Sequence, residues 1–250
     1  MYHPTRHRAP HRGHALLWDE LPALFPGFES PERWLPLLRR HIELVEASSE
    51  RTRVTSVPAG EAVRRHFAES LEILRIAEDL EGAAFDRCVD VGSGGGFPGL
   101  VIAVVRPALE MHLVEPLQKR ARLLRELAGE LGLGNVTVHA ARAEDAARGP
   151  LRGSAGLVTA RAVAPLRELI EYTAPFAAGD GLLALPKGSG LGDELAEAGA
   201  AMSELGVSLA AVVPMRAAIS QNVRVALLRR RGAIPDRYPR RAGIPAKRPL

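Results

Sequence analysis

The sequence is short of cysteine and has no long apolar run, and each shortage removes a class of protein. One cysteine in 250 residues, Cys88, excludes an intrachain disulfide or a cysteine-built metal cluster. Set within an apolar run, it is expected as a buried, reduced thiol. No apolar stretch reaches the ~20 residues that a membrane helix needs. The basic N-terminus leads into no apolar segment of secretory-signal length, so a cytoplasmic protein without membrane contact is expected. Acids are scarce at both ends. Met1 to His14 has Arg6, Arg8, Arg12 and four histidines but no Asp or Glu. Pro4 and Pro10 break any helical face there, so a disordered basic arm over 1–14 is expected rather than a metal site. Arg229 to Leu250 sets seven Arg and Lys247 against Asp236 alone, a charge of +7 in a chain whose net charge is +4. Basic ends on a slightly acidic body suit a polyanion such as RNA. They also fit a tail that only aids solubility, and composition leaves both readings open.

What is present centres on Val89-Asp90-Val91-Gly92-Ser93-Gly94-Gly95-Gly96-Phe97-Pro98-Gly99-Leu100. An apolar run ends in an acid, passes through glycines and restarts as an apolar run, which predicts strand, tight loop and helix. Gly92, Gly94 and Gly96 allow positive φ and close approach of a ligand to the backbone. A dinucleotide fingerprint begun at Gly92 would need glycine where Phe97 stands. A P-loop would need Lys and then Ser or Thr after its last glycine. The remaining pattern, acid-x-G-x-G-x-G, resembles the S-adenosylmethionine loop of Rossmann-like methyltransferases. That resemblance implies Asp90 near a methionine ammonium, with the glycine backbone packed on methionine and ribose. Glu115, 23 residues beyond Gly92 at the end of the next predicted strand, is placed to accept from both ribose hydroxyls.

The rest of the chain alternates. Apolar residues at helical spacing predict two amphipathic helices between Ala15 and Glu46 and a third from Glu61 to Leu80. These form an expected helical cap over 15–80. On the third helix His66, Glu69 and Ser70 share a face. Strands are predicted at Phe85–Val91, Met111–Val114, Val136–Ala140, Leu157–Ala160, Gly181–Leu185, Val207–Pro214 and Val223–Leu228, with helices Leu117–Gly132, Leu166–Phe176 and Leu191–Leu205 among them. That predicts an α/β fold over 81–230, a Rossmann-like, seven-stranded doubly wound sheet with its last pair antiparallel, followed by a basic tail, 231–250. At the third-strand edge Ala143 and Glu144 are candidates to discriminate adenine. Arg161, at the carboxyl end of the fourth strand, is a candidate because isolated burial of its charge is costly. Lys187 follows the fifth strand.

The acceptor is narrowed by what is missing. Cytosine-C5 methylation needs a cysteine late in the domain, and Cys88 precedes the loop. Exocyclic-amine methylation usually uses Asn/Asp-Pro-Pro-aromatic after the fourth strand, where this chain has Arg161-Ala162-Val163-Ala164. Guanine N7 has a free lone pair and needs no base, so holding it in line suffices.

Together these residues resemble the ribosomal RNA small subunit methyltransferase G family, also called glucose-inhibited division protein B. The likeness rests on Arg65-His66-Phe67-Ala68-Glu69-Ser70-Leu71, the glycine loop, Glu115 with Lys119-Arg120, Arg142-Ala143-Glu144, Ala160-Arg161-Ala162, Lys187-Gly188 and the ending from Tyr238 to Leu250. It implies N7 methylation of one guanosine in 16S rRNA of the small ribosomal subunit, with S-adenosylmethionine as donor. It implies cofactor contacts at Gly92, Phe97, Glu115, Ala143, Glu144 and Arg161. It also moves His66, Glu69 and Ser70 to an active-site rim, with His66, Lys187 and Arg120 as candidates to meet the base. The family usually has Asp at Glu69 and Asn-Leu-Thr at Arg53-Val54-Thr55. A monomer is expected. A methyltransferase of small molecules or proteins, and a non-catalytic RNA-binding assembly factor, are the competing readings.

Overall fold

The computed structural model describes residues 16–48 and 55–250. The expected arm 1–14, and Arg53 and Val54, lie outside them. Seven strands form one sheet: β1 Arg87–Val91, β2 Glu110–Val114, β3 Val136–His139, β4 Ala155–Ala160, β5 Ala177–Lys187, β6 Val207–Pro214 and β7 Arg224–Arg230. Their order is β3-β2-β1-β4-β5-β7-β6. β1 to β5 run parallel, and β7 lies antiparallel between β5 and β6. The chain starts at β1, builds outward to β3 and then returns to β4 on the other side. The carboxyl ends of β1 and β4 therefore flank the crevice where open α/β sheets bind ligands.

The helices are α1 Leu21–Leu24, α2 Pro31–Ser48, α3 Glu69–Glu81, α4 Gly99–Val105, α5 Gln118–Glu130, α6 Ala143–Ala146, α7 Leu166–Thr173, α8 Leu191–Glu197, α9 Gly199–Glu204 and α10 Ile244–Lys247. The strands fall where apolar runs predict them, because a parallel sheet buried on both faces needs unbroken apolar sequence. Cys88 faces one core and its neighbour Val89 the other, and both are fully buried.

Two helix expectations are corrected below. The helical cap over 15–80 packs directly on the sheet domain: Leu21, Trp34, Leu38, Phe67 and Leu71 share one core with Leu100, Ile102 and Leu124. It forms one of the two helical layers. Arg216, between β6 and β7, fastens that layer by bonding the buried Glu72 carboxylate of α3 at 2.6 Å and the Leu24 carbonyl of α1 at 2.5 Å. The predicted regular helix over 61–80 begins instead as a 3-10 turn, Ala59–Glu61, followed by a π-helical segment, Val63–Ala68, before α3. The predicted helix over 191–205 is divided at Ala198 into α8 and α9.

The basic tail is also different from a free arm. Arg229 pairs with Glu81 at 2.9 Å, Arg231 with Asp180 at 2.5 Å, Arg237 with Glu204 at 2.6 Å and Arg240 with the buried Glu171 at 2.6 Å. Tyr238 is buried in the second core, and Arg152 donates to the carbonyls of Tyr238 (2.8 Å) and Ile234 (3.1 Å). The last twenty residues form a strap bound across α7 and toward the crevice. Half of the basic side chains in 231–250, Arg231, Arg237 and Arg240, are paired within the fold.

Candidate active site

The loop between β1 and α4 is built as its glycines predict. Gly92, Gly94 and Gly96 have φ of 74°, 55° and 88°. Their reasons differ. A Cβ on Gly96 would stand 2.5 Å from Leu100 Cδ1, so this glycine serves packing on α4, and it lines neither cavity described below. A Cβ on Gly94 would meet nothing nearer than 3.9 Å, which leaves its backbone open to a ligand.

Asp90 does not face the site. It is fully buried, accepts the Gly99 N–H at 3.2 Å through one oxygen and the Thr159 hydroxyl at 2.8 Å through the other. Desolvation pushes its carboxyl up to about 6, against the bonds it accepts. It braces the loop against β4 and lines neither cavity described below. Glu115 stands at the end of β2 as predicted, but its oxygens accept the N–H groups of Gly94 and Leu117, both at 3.0 Å. Each of those oxygens keeps a second lone pair.

Two cavities meet at Gly92. The first, about 280 Å³, is mostly apolar and lies between the ends of β1 and β2, α6 and α7; Val91, Val114, Pro116 and Tyr172 line it, together with Ala143 and Glu144. The second, about 350 Å³, is polar and lies between the loop and the π-helical segment. Arg65, His66, Glu69, Arg120 and Arg161 line it, with Thr55 and Phe97.

A stack of three rings separates the polar cavity from the core. His66 lies 4.1 Å from Phe97 at 8°, and Phe97 lies 4.6 Å from His41 at 16°. The π-helical turn carries His66 to this position, and such turns recur at functional sites. Burial, with Arg161 beside it, lowers His66 to about 3, so the ring is neutral at pH 7. Its tautomer follows from its partners. Arg161 Nη2 donates to Nδ1 at 3.1 Å, so the ring proton sits on Nε2 and is donated to Thr55 Oγ1 at 2.7 Å. Thr55 Oγ1 also accepts the Val57 N–H at 3.0 Å, and its own hydroxyl proton is left for a group in the cavity.

Arg161 is where the sequence predicts a costly charge. It donates to the Arg65 carbonyl at 2.5 Å, stands 3.6 Å from Glu69 and lies over the Phe97 ring at 5.7 Å. Desolvation lowers its pKa and raises that of Glu69. Lys187 lines neither cavity. Its Nζ donates to the Ala164 carbonyl at 2.6 Å and to Glu194 at 2.7 Å, so it anchors the 161–165 loop to α8. Ser70 is also withdrawn: fully buried, it donates to the His66 carbonyl within the helix.

Sequence reasoning missed His41, Thr55 and Tyr172. His41 had a signal, since it falls on the buried stripe of Trp34, Leu38 and Val45 and a ring nitrogen there needs a partner. It finds the Gly95 carbonyl at 2.8 Å. Among the described residues no group of three His, Cys, Asp or Glu side chains could hold a metal ion, and no helix is long and apolar enough to cross a membrane.

The reversed last strand, the glycine loop opening the crevice and an acid closing β2 define a class I S-adenosylmethionine-dependent methyltransferase. The solved structure of MtNAS in complex with MTA and tNA shares the fold, with a TM-score of 0.55 at 16% identity over 78% of this chain and 70% of that one. An E81Q mutant of MtNAS matches over 86% of this chain and 82% of its own, also with a TM-score of 0.55, at 15% identity. The family model for GidB, rRNA small subunit methyltransferase G, matches residues 35–223. Proteins named ribosomal RNA small subunit methyltransferase G are 38% identical in Dehalococcoides mccartyi strain CBDB1, over 83% of this chain and 88% of theirs, and 37% identical in Symbiobacterium thermophilum, over 94% and 97%. The chain belongs to the rRNA small subunit methyltransferase G family.

Proposed function

We propose that the protein transfers a methyl group from S-adenosylmethionine to guanine N7 at one position of 16S rRNA in the small ribosomal subunit. The observation that carries this reading is the junction of an apolar and a polar cavity at Gly92. The apolar cavity suits adenine, with Ala143 and Glu144 at its edge. The polar cavity suits the charged methionine end and the acceptor base. The donor supplies an electrophilic methyl on a sulfonium, and the protein's task is to aim a lone pair at it.

The chain's residues are suited to that task. Guanine N7 and O6 are adjacent acceptors. The Thr55 hydroxyl, oriented through His66 by Arg161, is a donor for such an acceptor, and the neutral His66 ring brings no competing charge. Arg161 is the cation placed to hold a carboxylate, and Phe97 seals the floor. Glu115 reaches ribose hydroxyls through the lone pairs that Gly94 and Leu117 leave free, so its role is to join loop and ligand. A monomer acting in the cytoplasm on RNA fits this reading. The test is transfer from labelled S-adenosylmethionine to small-subunit rRNA, with modified nucleosides mapped by mass spectrometry. Gly92→Asp and Arg161→Ala are each expected to lower transfer at least 100-fold while the fold survives. Undiminished transfer in both would overturn the assignment.

A further inference from the structure

The strap ends against the apolar cavity. Gly243 and Ala246 line it together with Ala143 and Glu144 of α6. The connection is specific: the Gly243 N–H donates to Glu144 Oε1 at 2.9 Å, Glu144 is buried, and its Oε2 has no partner among the described residues. Gly243 has φ of 80°, a conformation that a side chain would strain, and it directs the chain into α10, where Ala246 presents only a methyl group to the cavity. Upstream, the strap is held where it cannot touch a ligand. Arg240 bonds the buried Glu171 through its backbone N–H (2.8 Å), Nε (2.9 Å) and Nη2 (2.6 Å), and Arg148 donates to the Pro239 carbonyl.

We propose that residues 243–250 are a working part of the cofactor site: the strap walls the adenine end and, by holding one oxygen of Glu144, aims the other at the exocyclic amine of the purine. Glu144 then acts as a divided acceptor. One oxygen is satisfied by the protein and the other by an N–H₂ group, which a 6-oxo purine lacks. A site whose buried acceptor is left unpaired rejects such an analogue strongly. The strap is thus a specificity element for an aminopurine as well as a wall. This rests on the placement of adenine in the apolar cavity given under Proposed function.

The experiment is calorimetric titration of the full chain with S-adenosylmethionine and with its inosine analogue. It is repeated on a chain ending at Ala242 and on Ala246→Leu, which keeps the strap and fills the cavity. Ending at Ala242 retains the Arg240–Glu171 anchor. Both variants are expected to bind S-adenosylmethionine at least tenfold more weakly, and the truncated chain is expected to discriminate less between the two ligands. Wild-type affinity in both variants, or a truncation that weakens rRNA binding alone, overturns the proposal. If the shortened chain gives no cooperative melt, Ala246→Leu decides. Gly92→Asp separates the two readings. If it also binds normally, the cofactor lies elsewhere and the placement itself fails; if it abolishes binding while the strap variants do not, only the role of the strap fails.

Discussion

His41 and His66 are two neutral rings on either side of Phe97, and they set a pH dependence that can be worked out in sign. Burial lowers His41 to about 4, opposed by its bond to the Gly95 carbonyl, and lowers His66 to about 3. Above pH 6.5 both rings are neutral in folded and unfolded chains and contribute nothing to the slope. Between pH 6.5 and about 4 the unfolded chain takes up protons that the folded chain refuses, so stability falls as pH falls. Asp90 acts in the opposite direction. With its folded value near 6, it is protonated in the native state first and returns stability over pH 6 to 4. His41→Gln keeps a donor for Gly95 and removes one of the two rings. It is expected to recover up to about 3 kcal/mol of the loss between pH 6.5 and 4, as read by urea unfolding at both pH values. An identical decline in wild type and variant would mean that His41 is not held neutral.

The elements were legible in proportion to how local their causes are. The central strands could be read because burial on both faces forces unbroken apolar runs, the edge strands β3 and β6 because they are rich in Val with turn residues beside them, and the Gly92–Gly96 loop because positive φ demands glycine. The π-helical turn at Val63–Ala68 could not, because a shift in hydrogen-bond register leaves no mark on apolar spacing. Nor could the functions of Asp90 and Lys187 be read. Both carry site-like chemistry at site-like positions, yet each meets a partner that sequence order does not announce, Thr159 69 residues away for one and Ala164 23 residues away, with nearby Glu194, for the other. Long-range fastening of this kind is what Arg216 does for α1 and α3. Arg216→Ala leaves the Glu72 carboxylate buried with Arg75 as its remaining ion-pair partner. Breaking a buried pair costs about 3–5 kcal/mol, and with Arg75 still in place a loss of roughly 2 kcal/mol is expected in chemical unfolding. A variant as stable as wild type would show that the helical layer is held by its apolar core alone.

For the molecule as a whole, the charge distribution means something different from what the sequence suggests. The carboxylate partners Glu81, Asp180, Glu204 and Glu171 lie 148, 51, 33 and 69 residues from Arg229, Arg231, Arg237 and Arg240. Such pairing is invisible to a count along the chain. In the strap, Arg241, Lys247 and Arg248 have no carboxylate partner among the described residues, which under the proposed function makes them the strap's candidates for RNA phosphate. Each phosphate contact adds about 0.7 to 0.9 to the slope of log affinity against log salt. Replacing all three by Gln is therefore expected to flatten the slope for small-subunit rRNA by about 2. An unchanged slope would move the RNA contact to the polar rim around Arg65 and Arg120.

That a wall of the apolar cavity is made by Gly243 and Ala246, with Leu250 packed on the second core, has a consequence for the order in which the protein becomes competent. The glycine loop leaves the translating ribosome early, but the pocket stays open on one side until residues 243–250 have emerged as well. A nascent chain can hold most of its fold with an unfinished binding site.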